Sequence, residues 1–140
     1  MPSKAIVIDA NILVRAVLGQ RVRRLLVTYC ESVSFYLPQT ALAEAEEHLP
    51  TLAARRGGGA VEAVKLLRAM ADLTEIMLPA TYEKFEREAR ERLGSRDPDD
   101  WPILAAALSL ECPIWTEDTD FFGCGVATWT SGRVERYLRQ

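Results

Sequence analysis

Soft ligands are scarce in this chain of 140 residues, which holds one histidine, His48, and three cysteines. Cys30, Cys112 and Cys124 are odd in number and lack C-x-x-C spacing, so a zinc site, a dithiol redox pair and a disulfide framework are not expected. Long hydrophobic runs are missing too. Met1 to Asp9 has one lysine and a short apolar stretch that ends in a carboxylate, which is neither a secretory signal nor a membrane span. A cytoplasmic protein with no membrane association is the expectation. Nor is there an excess of positive charge: Lys and Arg number 17 against 20 Asp and Glu, a net charge of −3. The chain therefore has no global field that would attract nucleic acid, and only the local arrangement of charge can decide such a role. The one low-complexity tract is Gly57-Gly58-Gly59. What remains is an ordinary packed composition, 49% hydrophobic and 26% charged, over a length that suits one domain spanning residues 1–140.

Ala5 to Ile8 is an uninterrupted β-compatible run, as expected of a central strand buried on both faces of a parallel sheet. Helical spacing follows through Ile12, Leu13, Ala16 and Val17, and again after Gly19 through Val22, Leu25, Leu26 and Tyr29. Phe35 to Leu37 reads as a second strand ending at Pro38. Helices are expected over Ala41 to Ala54 and Val61 to Met70, divided by the glycine triplet. A short strand over Glu75 to Leu78 and a charged amphipathic helix over Tyr82 to Leu93 come next, with Gly94 as its end. Asp97 to Asp100 opens an Ala-rich helix, Ile103 to Leu110, with Asp97 and Pro98 as N-cap and first-turn proline. Ile114 to Thr116 and Val126 to Trp129 complete the strands, and a terminal helix covers Arg133 to Leu138. Alternation of this kind predicts an α/β fold: a mostly parallel central sheet flanked by helices in a three-layer sandwich.

In open parallel sheets the binding crevice lies outside the carboxyl ends of the strands. Asp9 and Asp118 fall at such ends, while Glu44 and Asp100 stand near helix entries on the same rim. Asp9 also fits the helix-capping role common for Asp. Four converging carboxylates repel one another unless a cation lies between them. Hard oxygen ligands without His or Cys suit Mg²⁺ or Mn²⁺, and the implied chemistry is phosphodiester hydrolysis by an activated water.

Four stretches carry a family resemblance: Val7-Ile8-Asp9-Ala10-Asn11-Ile12-Leu13, Leu42-Ala43-Glu44-Ala45, Asp97-Pro98-Asp99-Asp100-Trp101-Pro102-Ile103-Leu104, and Trp115-Thr116-Glu117-Asp118-Thr119-Asp120-Phe121. In order, spacing and flanks they resemble the PIN-domain nucleases over nearly the whole chain. The resemblance implies metal-dependent cleavage of RNA with Mg²⁺ or Mn²⁺, and similarity to VapC-type toxins that pair with an antitoxin. By that resemblance Asp9, Glu44 and Asp100 match the three core acids, and Asp118 matches the less uniform fourth. Asn11 matches the polar neighbour of the first acid and Thr116 the residue that precedes the fourth position, while Asp120 supports the loop or outer-sphere waters. Arg23, Arg24, Arg55 and Arg56 are candidate contacts for RNA phosphates. A homodimer is expected by the same analogy, through partly exposed apolar helices such as Val22 to Tyr29.

Three rival readings remain at this level. A phosphoacceptor domain needs a lysine at a later strand end and an acid beside the acceptor, and neither is evident. A phosphatase of the haloacid dehalogenase type needs a second Asp where this chain has Asn11. A catalytically silent PIN-like scaffold would have no need to retain four acids.

Overall fold

A computed structural model describes residues 4–96 and 98–140. The proposed cap Asp97 lies outside the described residues. Five strands, β1 (Lys4–Ile8), β2 (Val33–Pro38), β3 (Thr74–Met77), β4 (Ile114–Trp115) and β5 (Thr128–Trp129), form one sheet in the order β3-β2-β1-β4-β5. Every pairing is parallel, so the sheet is parallel throughout where a mostly parallel one was expected. Central β1 pairs Val7 with Tyr36 on one side and with Ile114 on the other. Its Ile6, Val7 and Ile8 are wholly buried, and each such side chain contributes roughly 1.5–3 kcal/mol of hydrophobic stabilisation.

The helices are α1 (Ala10–Leu18), α2 (Arg21–Tyr29), α3 (Gln39–Arg55), α4 (Ala60–Ala71), α5 (Glu86–Leu93), α6 (Trp101–Leu110) and α7 (Glu135–Leu138). α1 packs against α2, α3 and α4, whereas α5 packs on α6, which lies directly on β1 and β2. Close approach by α6 follows from Ala105, Ala106 and Ala107, all buried, which present no side chain longer than a methyl group. The α3 stripe Ala41, Ala45, Leu49 and Ala53 is buried at helical spacing, and this packing carries the helix through Pro50 although proline removes one backbone bond.

Three boundaries depart from expectation for local reasons. Tyr82 is buried, yet residues 79–85 form two short 3-10 turns and α5 begins only at Glu86. Residues spaced by three satisfy a 3-10 turn as well as an α-helix. β5 is shorter than Val126 to Trp129, because Gly123 and Gly125, at φ 84° and 88°, turn the chain just before it. α6 ends at Glu111, a non-glycine residue in the left-handed region at φ 52°. None of the helices is long and apolar enough to cross a membrane among the described residues.

Candidate functional site

From β1 the chain crosses to β2 on one side, while β4 lies on the other. A crevice therefore opens at the carboxyl end of β1, between it and β4. Asp9 follows β1 immediately and is 6% exposed. One carboxylate oxygen, Oδ1, accepts the Ile12 backbone N–H at 2.9 Å and so caps α1. The other, Oδ2, accepts the hydroxyl of Thr116, which is fully buried. Capping and pocket-lining are thus combined in one residue. Thr116 Oγ1 in turn accepts the Asp118 N–H at 2.9 Å, and Asp118 Oδ1 accepts the Asp120 N–H at 2.9 Å. This chain of hydrogen bonds ties the end of β1 to the loop after β4.

Asp9, Asn11, Glu44, Asp99, Asp100 and Asp118 line a single pocket of about 60 Å³. A volume of that size suits an ion and a few waters rather than an organic cofactor. Carboxylate oxygens of Asp100, Asp118 and Asp120 all lie within 4.8 Å of one another. Asp120, expected only as a support, therefore stands in the tightest acidic group, while Asp9 and the exposed Glu44 line the pocket around it. Burial pushes the Asp9 carboxyl up from 3.8 to about 6; the hydrogen bonds from Thr116 and Ile12 oppose this, and the charges of Asp118 and Glu44 add to it. An acid held so near its neighbours and so far from water gains most from a cation. The donor set is all oxygen, which fits Mg²⁺ or Mn²⁺. No cysteine is among the residues that line this pocket; Cys112 lies elsewhere, where burial pushes its thiol up to about 12.

The arginines separate by environment. Arg23 donates through Nε to the Ala16 carbonyl at 2.8 Å and through Nη2 to that of Val17 at 2.7 Å, closing the end of α1. Arg24 is exposed on α2, Arg55 lines a cleft with Glu44 and His48, and Arg56 borders a second groove with Arg15 and Arg21. Arg15 and Arg21 were not among the residues singled out from sequence, although Arg15 follows Asn11 at i+4 and so shares its helix face. Glu117 was also missed: its Oε2 accepts the Ser131 N–H at 2.6 Å, and Ser131 Oγ accepts Trp115 Nε1–H at 3.0 Å. That pair fastens the loop after β4 to the segment after β5.

Comparison with known proteins gives a family and a fold. No curated protein sequence matches the chain. Solved structures do. One is VapBC2 from Rickettsia felis bound to a DNA fragment from their promoter, at TM-score 0.65 and 13% identity over 90% of this chain and 98% of that one. FitAB bound to an IR36 DNA fragment is similar at TM-score 0.61 and 22% identity, over 90% and 94%. FitAcB from Neisseria gonorrhoeae is similar at TM-score 0.59 and 23% identity, over 91% and 98%. The family model described as the PIN domain matches residues 7–139, and with the parallel sheet and its acidic rim already in place, the chain belongs to the PIN-domain family.

Proposed function

We propose that this chain, as a single PIN-like domain, is a divalent-metal-dependent endoribonuclease that hydrolyses RNA phosphodiester bonds as the toxin of a toxin–antitoxin pair. The observation that carries the reading is the meeting of Asp9, Glu44, Asp100 and Asp118, drawn from four distant segments, in one pocket the size of a hydrated ion. These four acids, with Asp120 within 4.8 Å of Asp100 and Asp118, would hold Mg²⁺ or Mn²⁺. Such a cation supplies charge stabilisation on the phosphoryl oxygens and a more acidic water. The residues around it do the positioning. Thr116 and the Ile12 N–H fix both oxygens of Asp9, and the Asp120 N–H fixes one oxygen of Asp118, so the acids keep their places despite mutual repulsion. Asn11, exposed at the pocket mouth, offers an uncharged amide to substrate.

Similarity to VapBC2 and FitAB, together with the resemblance to VapC-type toxins, supports an antitoxin partner. A homodimer through α2 rests on the resemblance to the family alone. The test is incubation of purified protein with total cellular RNA in Mg²⁺ or Mn²⁺, with EDTA as the control. Fragmentation that depends on metal is expected; no fragmentation with either metal, or equal fragmentation in chelator, overturns the reading.

A further inference from the structure

A groove of about 730 Å³ opens beside the acidic pocket, and Asn11 and Asp118 line both. Three arginines border it: Arg15 from α1, Arg21 from the start of α2 and Arg56 from the end of α3. All three are exposed. None of their side chains makes a hydrogen bond or ion pair among the described residues, whereas Arg23 closes α1 and Arg87, Arg90 and Arg92 pair with Glu91, Glu86 and Glu88 along α5. Three guanidinium groups around one groove repel each other, and no direct ion pair among the described residues offsets this, although Glu117 and Asp118 line one end of the groove. Arg15 lies one helical turn beyond Asn11, about 6 Å along α1, so positive charge begins where the acidic pocket ends.

We infer that this groove binds the stretch of single-stranded RNA backbone next to the cleaved bond, with Arg15, Arg21 and Arg56 on its phosphates. The inference rests on the ribonuclease reading above. An acidic peptide would suit the arginines equally well but would bring carboxylates against Glu117 and Asp118 at the shared end. A phosphodiester strand has its scissile group at the cation there and its neighbouring phosphates in the groove, so both ends of the charge pattern are used. Leu18, Val22 and Leu52 line the groove, and no aromatic ring does. Bases therefore meet apolar surface without a stacking platform, and binding here is dominated by phosphates, dependent on salt and tolerant of sequence.

The experiment is fluorescence anisotropy of a labelled random-sequence single-stranded RNA with metal-free protein across a salt series. Metal-dependent cleavage of total RNA is followed in parallel. Replacing Arg15, Arg21 and Arg56 together by Ala is expected to weaken binding tenfold or more. It should also reduce the slope of log affinity against log salt by about 2, from about 0.7 per phosphate on a single strand. The triple Lys variant keeps most of the slope because it keeps the charge. Removing the equally exposed Lys65, Arg68 and Arg87 controls for net charge and should change little. Wild-type protein that does not bind, a triple Ala variant that binds like wild type, or equal loss in the control each overturns the groove assignment. Cleavage that persists in any of those cases leaves the ribonuclease reading standing, and absence of cleavage removes that reading by itself.

Discussion

Substitution of Asp9→Asn separates a carboxylate kept for a cation from one kept as a helix cap. Burial holds the Asp9 carboxyl at about 6 rather than 3.8. At 1.36 kcal/mol per pH unit, the ionised form costs the metal-free fold about 3 kcal/mol. The sign follows from linkage. The folded state binds the extra proton between 3.8 and about 6, so wild-type stability falls as pH rises through that window and the whole cost is present at neutral pH. Asn removes the charge, keeps the shape and retains one carbonyl acceptor for Ile12 or Thr116; its amide then meets the other partner, at a loss of about 1.5 kcal/mol. A net gain of about 1.5 kcal/mol is expected in EDTA at pH 7.5, roughly 3–6 °C in Tm for a domain of this size. Near pH 4 the gain should vanish and give way to a loss of about 1 kcal/mol, because Asp9 in the fold is then largely neutral and the weakened hydrogen bond remains. Stabilisation of the wild type by Mn²⁺ should be lost in the variant. Thermal melts at both pH values, with EDTA and with Mn²⁺, read all three effects. An Asp9→Asn variant that is destabilised equally at pH 4 and pH 7.5, with the Mn²⁺ response intact, would refute the metal role and leave only the cap.

Thr116→Val deletes a buried hydroxyl that bonds both Asp9 and the Asp118 N–H. Denaturant unfolding should show a loss of about 2 kcal/mol, and because that bond lowers the Asp9 carboxyl, the acidic limb of Mn²⁺ affinity should move to higher pH in a titration series. Asp100→Asn should melt at or above the wild-type temperature in EDTA, since it relieves repulsion from Asp118 and Asp120; most of the Mn²⁺-induced rise should disappear. Glu111→Gly removes a side chain from the left-handed position at φ 52° and should stabilise the fold by about 1 kcal/mol, visible as a higher denaturant midpoint with unchanged slope.

Much of this arrangement was legible in the residues. A strand buried on both faces admits no polar interruption, so Ala5 to Ile8 announced β1 and located Asp9 at its end. Pro38 marked the end of β2 and hence the rim on which Glu44 stands. Other features depend on tertiary contacts that sequence spacing does not encode. Asp118 and Asp120, two apart, would share a face of a continuing strand about 7 Å from each other, yet a 3-10 turn capped by Asp118 replaces the strand and holds their carboxylate oxygens within 4.8 Å. Arg23 and Arg15 are the same residue type on neighbouring helices. Only the sharp corner at Gly19 and Gln20 directs Arg23 back onto the carbonyls of α1 and leaves Arg15 in the groove.

The central claim, that these acids hold a catalytic cation, is tested most directly by the rate of RNA cleavage over a Mn²⁺ series for wild-type protein and Asp118→Asn. Cleavage by the wild type should rise saturably with Mn²⁺ and stop in EDTA. At saturating metal the variant should be about a hundredfold slower or worse, the scale for loss of one essential electrostatic group. A wild-type rate indifferent to Mn²⁺, or an Asp118→Asn variant that cleaves as fast as the wild type, would contradict it.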